Sequence, residues 1–303
     1  MATPFNFTSA KDVVKRPQWY NEGDIIADPS TNYGKVVSNP DFIEAGKNAY
    51  LRINRSHNHE QTQQAGQEDI DANTLIKKNF DAVLVTNIVD STLLQWAINS
   101  LGTGVGSIQS KTFLQSKYLS GTESYDVLKG CLPESCTLRI PRDGLISMEI
   151  GMSCKSIANA ASFTIGTGSY GSALSGAPWG PADGGTAPFT YHGVSVLERG
   201  ITLNVTRDMG AIDCSGDLAD IYKKPTGRKI TFDVEVFKAN NTLQDDVDSA
   251  VFRATASRVL KSATSTLSWA NVQAMSDTLE LNPTLRGALT IPYTILAKSV
   301  TVT

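Results

Sequence analysis

Three cysteines fall close together in "GCLPESCTLRIPRDGLISMEIGMSC", residues 130–154: Cys131, Cys136 and Cys154. Metal binding is the first chemistry such a cluster suggests. A structural zinc site shows paired ligands roughly two to four residues apart, twice over. Here Cys131 and Cys136 are separated by four residues, one of them Pro133, and Cys154 and Cys214 stand alone. In "ISMEIGMSC", Ile146, Met148, Ile150, Met152 and Cys154 recur at every second position, so Cys154 reads as a small core hydrophobe. The pattern predicts reduced, metal-free thiols. Histidine chemistry fares no better. His57 and His59 sit in "RSHNHE", which reads as an exposed polar loop, and His192 is the one other histidine. No third ligand or oriented base accompanies them.

The glycine-rich stretches "GTGVG" (102–106) and "GTGSYG" (166–171) lack the Gly-Lys-Ser/Thr ending of a phosphate loop, and no helical pattern follows either. No Gly-x-Ser-x-Gly elbow stands out. "QDDVD" reads as a solvated helix start that favours negative charge. The residues therefore assign no catalytic group, no metal ligand and no cofactor, and an enzyme is the class least expected.

Composition agrees with a building element. Charged residues make up 19% of the 303, below the usual quarter of a globular chain, and Thr, Ser, Asn and Gly fill the gap. A net charge of −3 offers no general attraction to phosphate backbones. No apolar run is long enough for a membrane span, so no membrane insertion is expected. The start, "MATPFNFTSAKDVVKRPQWY", has no basic segment followed by an apolar one, and a cytoplasmic origin is expected.

The elements that would position these residues are mostly strands. Residues 1–45 are polar and turn-rich and predict an extended arm; residues 46–303 form one β-rich domain. "AYLRINR" alternates Leu51 and Ile53 with Arg52 and Asn54, and "NFDAVLVTNIV" is strand-like. "DSTLLQWAINSLG" predicts a short amphipathic helix capped by Asp90 or Ser91, with Leu94, Ala97, Ile98 and Leu101 as its stripe and Gly102 as its stop. Asp143-Gly144 predicts a hairpin turn between "CTLRIPR" and "LISMEIGMSC". Residues 155–190, rich in Gly, Ser, Ala and Pro, read as a long loop.

Beyond that loop, "GITLNVTRD" and "RKITFDVEVF" alternate at period two. "TLQDDVDSAVFRATASRVLK" carries Leu243, Val247, Val251 and Ala254 at helical spacing behind Thr242, and predicts the longest helix. "ALTIPYTILAKSVTVT" closes the chain as a strand in which Pro292 marks an edge or bulge. "TLRIPRDGLISMEI" (137–150) and "TLNVTRDMGAIDC" (202–214) echo one another as strand, Arg-Asp turn, strand. The fold class expected is mainly β: a β-sandwich or half-barrel of antiparallel strands with one or two flanking α-helices.

The order of these pieces resembles the tail tube (major tail) proteins of tailed bacteriophages. It is carried by "LRINRSHNHEQ" leading to "LLQWAINSLGTG", by "SYDVLKGCLPESCTLRIPRDGLISMEIGMSCK", by "PFTYHGVSVLERGITLNVTRDM" and "PTGRKITFDVEVF", and by the closing "RGALTIPYTILA". The likeness spans about residues 50–297 in outline and leaves the arm and the 155–190 loop unexplained. It implies rings of six copies stacked into a hollow tube through which viral DNA passes during ejection. The partners it implies are other copies of the chain, a tape measure protein and a tail terminator, in a virion tail assembled in the host cytoplasm. If the tube reading holds, the polar strand faces name the lumen candidates: Ser147, Glu149 and Ser153 on one hairpin, and Thr202, Asn204 and Thr206 on the other. Two other classes stay open. One is a different virion or injection-system component, such as a tail terminator, a capsid decoration protein or a secretion tube. The other is a carbohydrate-binding β-sandwich using Trp19, Trp96, Trp179 or Trp269.

Overall fold

Period-two alternation over most of the chain builds one hydrogen-bonded, antiparallel array of fifteen strands. The structure, a computed structural model, describes residues 17–24, 33–35, 42–62, 72–99, 109–119, 122–160, 174–185, 189–212, 222–237, 242–277 and 290–303. In chain order the strands are β1 (Gln18–Asp24), β2 (Ile43–Glu44), β3 (Lys47–Thr62), β4 (Ala72–Asn87), β5 (Gln109–Leu119), β6 (Thr122–Ile140), β7 (Ser147–Cys154) and β8 (Ser156–Ala160). They continue with β9 (Phe189–Tyr191), β10 (Val194–Val196), β11 (Glu198–Ile212), β12 (Tyr222–Phe237), β13 (Arg253–Lys261), β14 (Ser265–Asp277) and β15 (Thr290–Val302). Helix α1 (Thr92–Ile98) follows β4 and helix α2 (Thr242–Ser249) follows β12. The fold is therefore mainly β with two flanking helices, as the patterning predicts.

Strand β6 organises the array. Its second half pairs with β7 on one side (Leu132–Arg139) and β11 on the other (Ser135–Ile140). Its first half pairs with β8 (Tyr125–Lys129) and β5 (Thr122–Cys131). From the second half the sheet runs outward through β7, β4 and β3 one way, and through β11, β12, β15, β14, β13, β9 and β10 the other; from the first half it runs through β5, β1 and β2. The strand bends between the halves at Gly130, whose φ of +64° suits glycine. A Cβ there would lie 2.7 Å from the Cβ of Lys155 and 3.0 Å from the Tyr33 ring.

The apolar face of the larger part is closed by its own curvature and by the helices. Phe232 on β12 stacks on Trp269 of β14 at 4.5 Å, and Phe189 on β9 meets both rings edge-on at 6.4 and 6.5 Å. Helix α1 buries Leu93, Leu94, Trp96, Ala97 and Ile98 in the same core. Its N-cap Ser91 makes no side-chain capping bond; Asp90, one residue earlier, accepts from the Thr92 amide at 2.8 Å. At its other end the Ile98 carbonyl accepts from Arg207 at 3.2 Å and Arg228 at 2.8 Å. Two cations thus satisfy the carbonyl end of a short helix. Asn99 then bonds both backbone groups of Val302, donating to its carbonyl at 3.1 Å and accepting from its amide at 2.6 Å.

Several segments differ from the sequence expectation. Within 1–45, the described residues are built into the body. β1 pairs with β5 and β2, and Trp19, Tyr20, Tyr33 and Phe42 are buried. Scattered aromatics, without a run of alternation, carry that burial. Buried Glu22 accepts from the Gly34 and Gly130 amides at 2.8 and 2.7 Å and from the Ser110 and Thr112 hydroxyls at 2.6 and 2.5 Å. Within 155–190, β8 and a short 3-10 helix (Pro181–Gly184) form, and Trp179 exchanges backbone bonds with Ile88 and Ile146 at 2.8 Å each. Residues 55–60 lie in strand β3 instead of a loop.

The second helix stops at Ser249, Ala250 turns at φ +50°, and residues 253–261 are a strand. The alternation of that strand is disguised because its buried positions are Ala256, Arg258 and Leu260, and Arg258 is an ion-paired core arginine, 2.7 Å from Glu198. The echo fails too: no turn forms at Arg207-Asp208, where β11 runs through with a bulge, although Gly144 (φ +113°) does turn the β6–β7 hairpin. Pro292 pairs opposite Glu235 just past the last β14 partner of β15, Tyr293, so it sits at a local edge among the described residues. Leu101, Gly102, Cys214 and Leu289 lie outside the described residues.

Glu22→Gln presents an amide group to donors that now face carboxylate oxygens, and is expected to cost about 2–4 kcal/mol in urea denaturation. Neighbouring Lys111 is buried against the Trp19 ring, 3.7 Å from its centre, and burial lowers its pKa to about 7. The folded value lies below the unfolded 10.5, so the unfolded chain holds the proton more tightly between pH 7 and 10.5 and stability rises across that window. Lys111→Met removes this contribution; its urea midpoint, relative to the unsubstituted protein, is expected to fall as pH is raised from 7 to 10.

Candidate functional site

The face of the sheet opposite the core is polar, and it gathers five of the six candidate residues. Ser147 and Glu149 on β7 and Thr202, Asn204 and Thr206 on β11 flank β6. Ser147, Arg139 and Thr202 form one cross-strand row; Glu149, Thr137 and Asn204 form the next; Thr206 stands opposite Ser135. Beyond β11 the rows continue to Asp233, Thr231 and Lys229 of β12. The sixth candidate, Ser153, belongs to the same strand face by alternation but is buried, with the Lys223 ammonium donating to its hydroxyl.

Side-chain bonds cross the strands on this face. Thr137 donates to Asn204 at 3.0 Å and Thr294 to Asp233 at 2.7 Å. Arg52 pairs with Glu149 and Arg199 with Glu235, each at 3.1 Å. These exposed pairs contribute at most about 1 kcal/mol each. The candidates are themselves neutral or acidic, but the strands beside them are not. Arg139, Lys229 and Lys298 are exposed and have no ion-pair partner among the described residues. The face is therefore mixed in charge, because the interleaved strands β6, β12 and β15 carry cations that a reading of the two hairpins alone leaves out.

Two ribbons leave this sheet at the same end. Past Phe80↔Cys154, the last β4–β7 pair, β3 and β4 pair only with each other. Past Thr206↔Ser135 on one side and Ile230↔Ala297 on the other, β11 and β12 do the same. The register fixes the common direction: β11 runs antiparallel to β6, as β7 does, so 201→206 and 147→154 point the same way. Arg55 braces the first ribbon with an ion pair to buried Asp126 at 3.0 Å. The margins of the sheet are unlike. Among the described residues sixteen-residue β3 pairs only with β4, while three-residue β10 pairs only with β9. Exposed apolar side chains sit at both, Tyr50 on β3 at 48% and Val194 and Leu197 at 43% and 56% near β10.

Chemistry at the residues first suspected is structural. Cys131, Cys136 and Cys154 are buried free thiols, with Cys131 and Cys154 Sγ atoms 3.1 Å apart across β6 and β7. Burial raises the Cys131 thiol well above its ordinary value and pushes Cys136 up to about 12. His57 is exposed on β3 and His192 at the β9–β10 turn, and no metal-binding group of three His, Cys, Asp or Glu exists among the described residues. All four tryptophans are buried, so none offers a stacking surface to a sugar. Besides the Glu22 and Arg258 clusters, the sequence hid a third buried polar group: Asp246 accepts from the Tyr191 hydroxyl at 3.0 Å and from Arg253 Nε at 2.8 Å, fastening α2 to β9 and β13. The acid run "QDDVD" hides it, since only one of its three aspartates turns inward.

Buried from solvent, Cys131, Cys136 and Cys154 are expected to resist iodoacetamide in the native state and to react fully in urea, as read by peptide mass mapping. Stoichiometric zinc, or blocked thiols released only by a reductant, would contradict this. No protein-family model matches the chain, and no curated protein matches it.

Proposed function

We propose that this chain is the structural subunit of a bacteriophage tail tube, assembling as six-membered rings that stack around a DNA channel. The observation that carries the reading is the pair of unlike free margins of the larger part of the array, the part built on the second half of β6, with β3 at one end and β10 at the other; β2 and β8 end the smaller part. A long unpaired strand margin invites pairing with another chain. Joining one margin of a copy to the other margin of the next is a heterologous contact, and such contacts close into rings when the rotation permits. Edge-to-edge closure removes free edges, as in a barrel. The sequence resemblance supplies the ring size and the stacking.

On this reading the polar face, with Ser147, Glu149, Thr202, Asn204 and Thr206, lines the channel. A wall meant to let DNA slide keeps free cations few, because neutralised phosphates release counterions and hold the strand; Arg139 is the exposed one left amid the candidate residues. Glu149 and Glu235 already occupy Arg52 and Arg199. The carbohydrate-binding alternative loses its support with the burial of all four tryptophans. A tube from another injection system shares the geometry and is separated from a phage tail by what the tube encloses.

Negative-stain images of the purified protein are expected to show six-fold rings and stacks of them. A chain that stays monomeric in sedimentation at every concentration tested would overturn the reading. Tyr50→Glu and Leu197→Glu, both at exposed margin positions, are expected to keep the thermal midpoint within a few degrees and to abolish rings. Removing residues 1–40 would delete β1 and its buried aromatics, so a role for the amino-terminal segment in assembly is tested by removing residues 1–16 alone.

A further inference from the structure

β12 and β15 part company after Ile230↔Ala297. Where they separate lies a groove of about 610 Å³, lined by Lys229, Ile230, Phe252, Asn271, Leu296 and Lys298, with Arg228 at its base. Lys229 and Lys298 are the next residues beyond the last pair, so two ammonium groups face the same opening. Both are exposed, neither has an ion-pair partner among the described residues, and no carboxylate lines the groove. Arg228 is turned inward to the Ile98 carbonyl. Phe252 stands at the rim, 60% exposed. The groove is thus cationic with an apolar wall, and it sits toward the end of the sheet from which both ribbons leave.

We infer that this groove receives the acidic tip of the β3–β4 ribbon from the neighbouring copy in a ring. The tip sequence, "QQAGQEDID" (63–71), carries Glu68, Asp69 and Asp71 and no basic residue, with Ile70 available for the apolar wall. The placement follows from topology. β3 is one margin of the sheet, and the groove lies on β12, β15 and β14 toward the other margin. A β3-to-β10 contact between copies therefore brings the ribbon of one copy to the groove side of the next. Copies in one ring share an axial level, so ribbon end meets ribbon end. The reach is adequate. Residues 55–62 extend about 25 Å past the sheet body at ~3.3 Å per residue, against five interstrand spacings of ~4.8 Å from the neighbour's β3 to β15. Adjacent strands also turn by about 20–25° each, so five strands on, the ribbon runs across β15 and not along it. Three carboxylates meeting two unpaired lysines both bind the neighbour and cover cations that would otherwise hold DNA.

This inference rests on the ring reading of the proposed function, and its test separates the two. Ring formation is measured by sedimentation and negative stain for four proteins: unsubstituted, groove-reversed (Lys229→Glu with Lys298→Glu), tip-reversed (Glu68→Lys, Asp69→Lys and Asp71→Lys), and both reversals in one chain. Either reversal alone is expected to raise the concentration needed for rings by at least about tenfold, through like-charge contact, and to leave the monomer's thermal midpoint unchanged. The combined protein is expected to regain rings at near the original concentration. Unsubstituted rings with tip-reversed rings equally stable would overturn the tip as occupant. Failure of the combined protein to recover, with its monomer folded, would also overturn it. Absence of rings from the unsubstituted protein would sink the ring reading itself.

Discussion

The architecture depends on the bend at Gly130, because β6 must serve two sheet directions at once. β6 is paired on both sides within each half, over Tyr125–Leu128 and over Ser135–Arg139, which leaves it little slack. Its first half is held by β5 and β8, its second by β7 and β11. The bend between them is stabilised where a side chain would not fit, with Tyr33 and Lys155 closing over Gly130. Glu22 completes the joint by accepting the Gly130 amide together with three other donors. A buried carboxylate is tolerated when its lone pairs are filled by hydrogen bonds, and here the donors come from β5, β6 and the turn at Gly34. Everything outward of β6 inherits its direction from this point, including the polar face and the two ribbons.

Much of this was legible in the sequence, wherever one face was apolar without exception. Strand β7 reads correctly except at Ser153, which is buried, because Met148, Ile150, Met152 and Cys154 hold the core side. The first half of β11 and the 228–237 stretch of β12 read correctly for the same reason. The failures share a physical cause: charged residues on the core side. Arg258 disguised β13 as helix, Arg207 broke the second half of β11, and Glu22 made β1 look like part of a polar arm. Each is satisfied by partners distant in sequence: Glu198, the carbonyls of Ile98 and Asn99, and donors from β5 and β6. Periodicity cannot see such partners. The candidate face was legible strand by strand, but its charge was not, since Arg139, Lys229 and Lys298 belong to strands whose position beside the candidates is set only by the sheet order.

The split between β12 and β15 lies where side chains tie both strands to the end of helix α1. Arg228 of β12 and Arg207 of β11 donate to the Ile98 carbonyl at the end of helix α1, and Asn99 bonds both backbone groups of Val302 on β15. Arg228 and Lys229 are adjacent and point to opposite faces, one closing the helix and the other open to solvent. Burial lowers the pKa of Arg207 to about 10 and leaves it cationic at neutral pH, which the helix end favours.

A wall element of a channel faces opposed demands on its charge. It needs enough complementary charge to fix one neighbour in register, and little enough on the exposed wall to let a polyanion pass. Paired side chains within one copy, such as Arg52 with Glu149, meet the second demand locally and do nothing for the first. Charges left unpaired within a copy meet the first, and meet the second only once assembly covers them. In the proposed ring, Lys229 and Lys298 at a strand divergence, with an acidic ribbon tip on the opposite margin, address both demands. Closure of that ring covers these two lysines and leaves Arg139 on the face. The cost of desolvating two lysines is small at so open a groove, so this contact contributes direction and register more than affinity. In the proposed ring the bulk of the association falls to the apolar margins at Tyr50, Val194 and Leu197, where burial of carbon surface needs no charge partner.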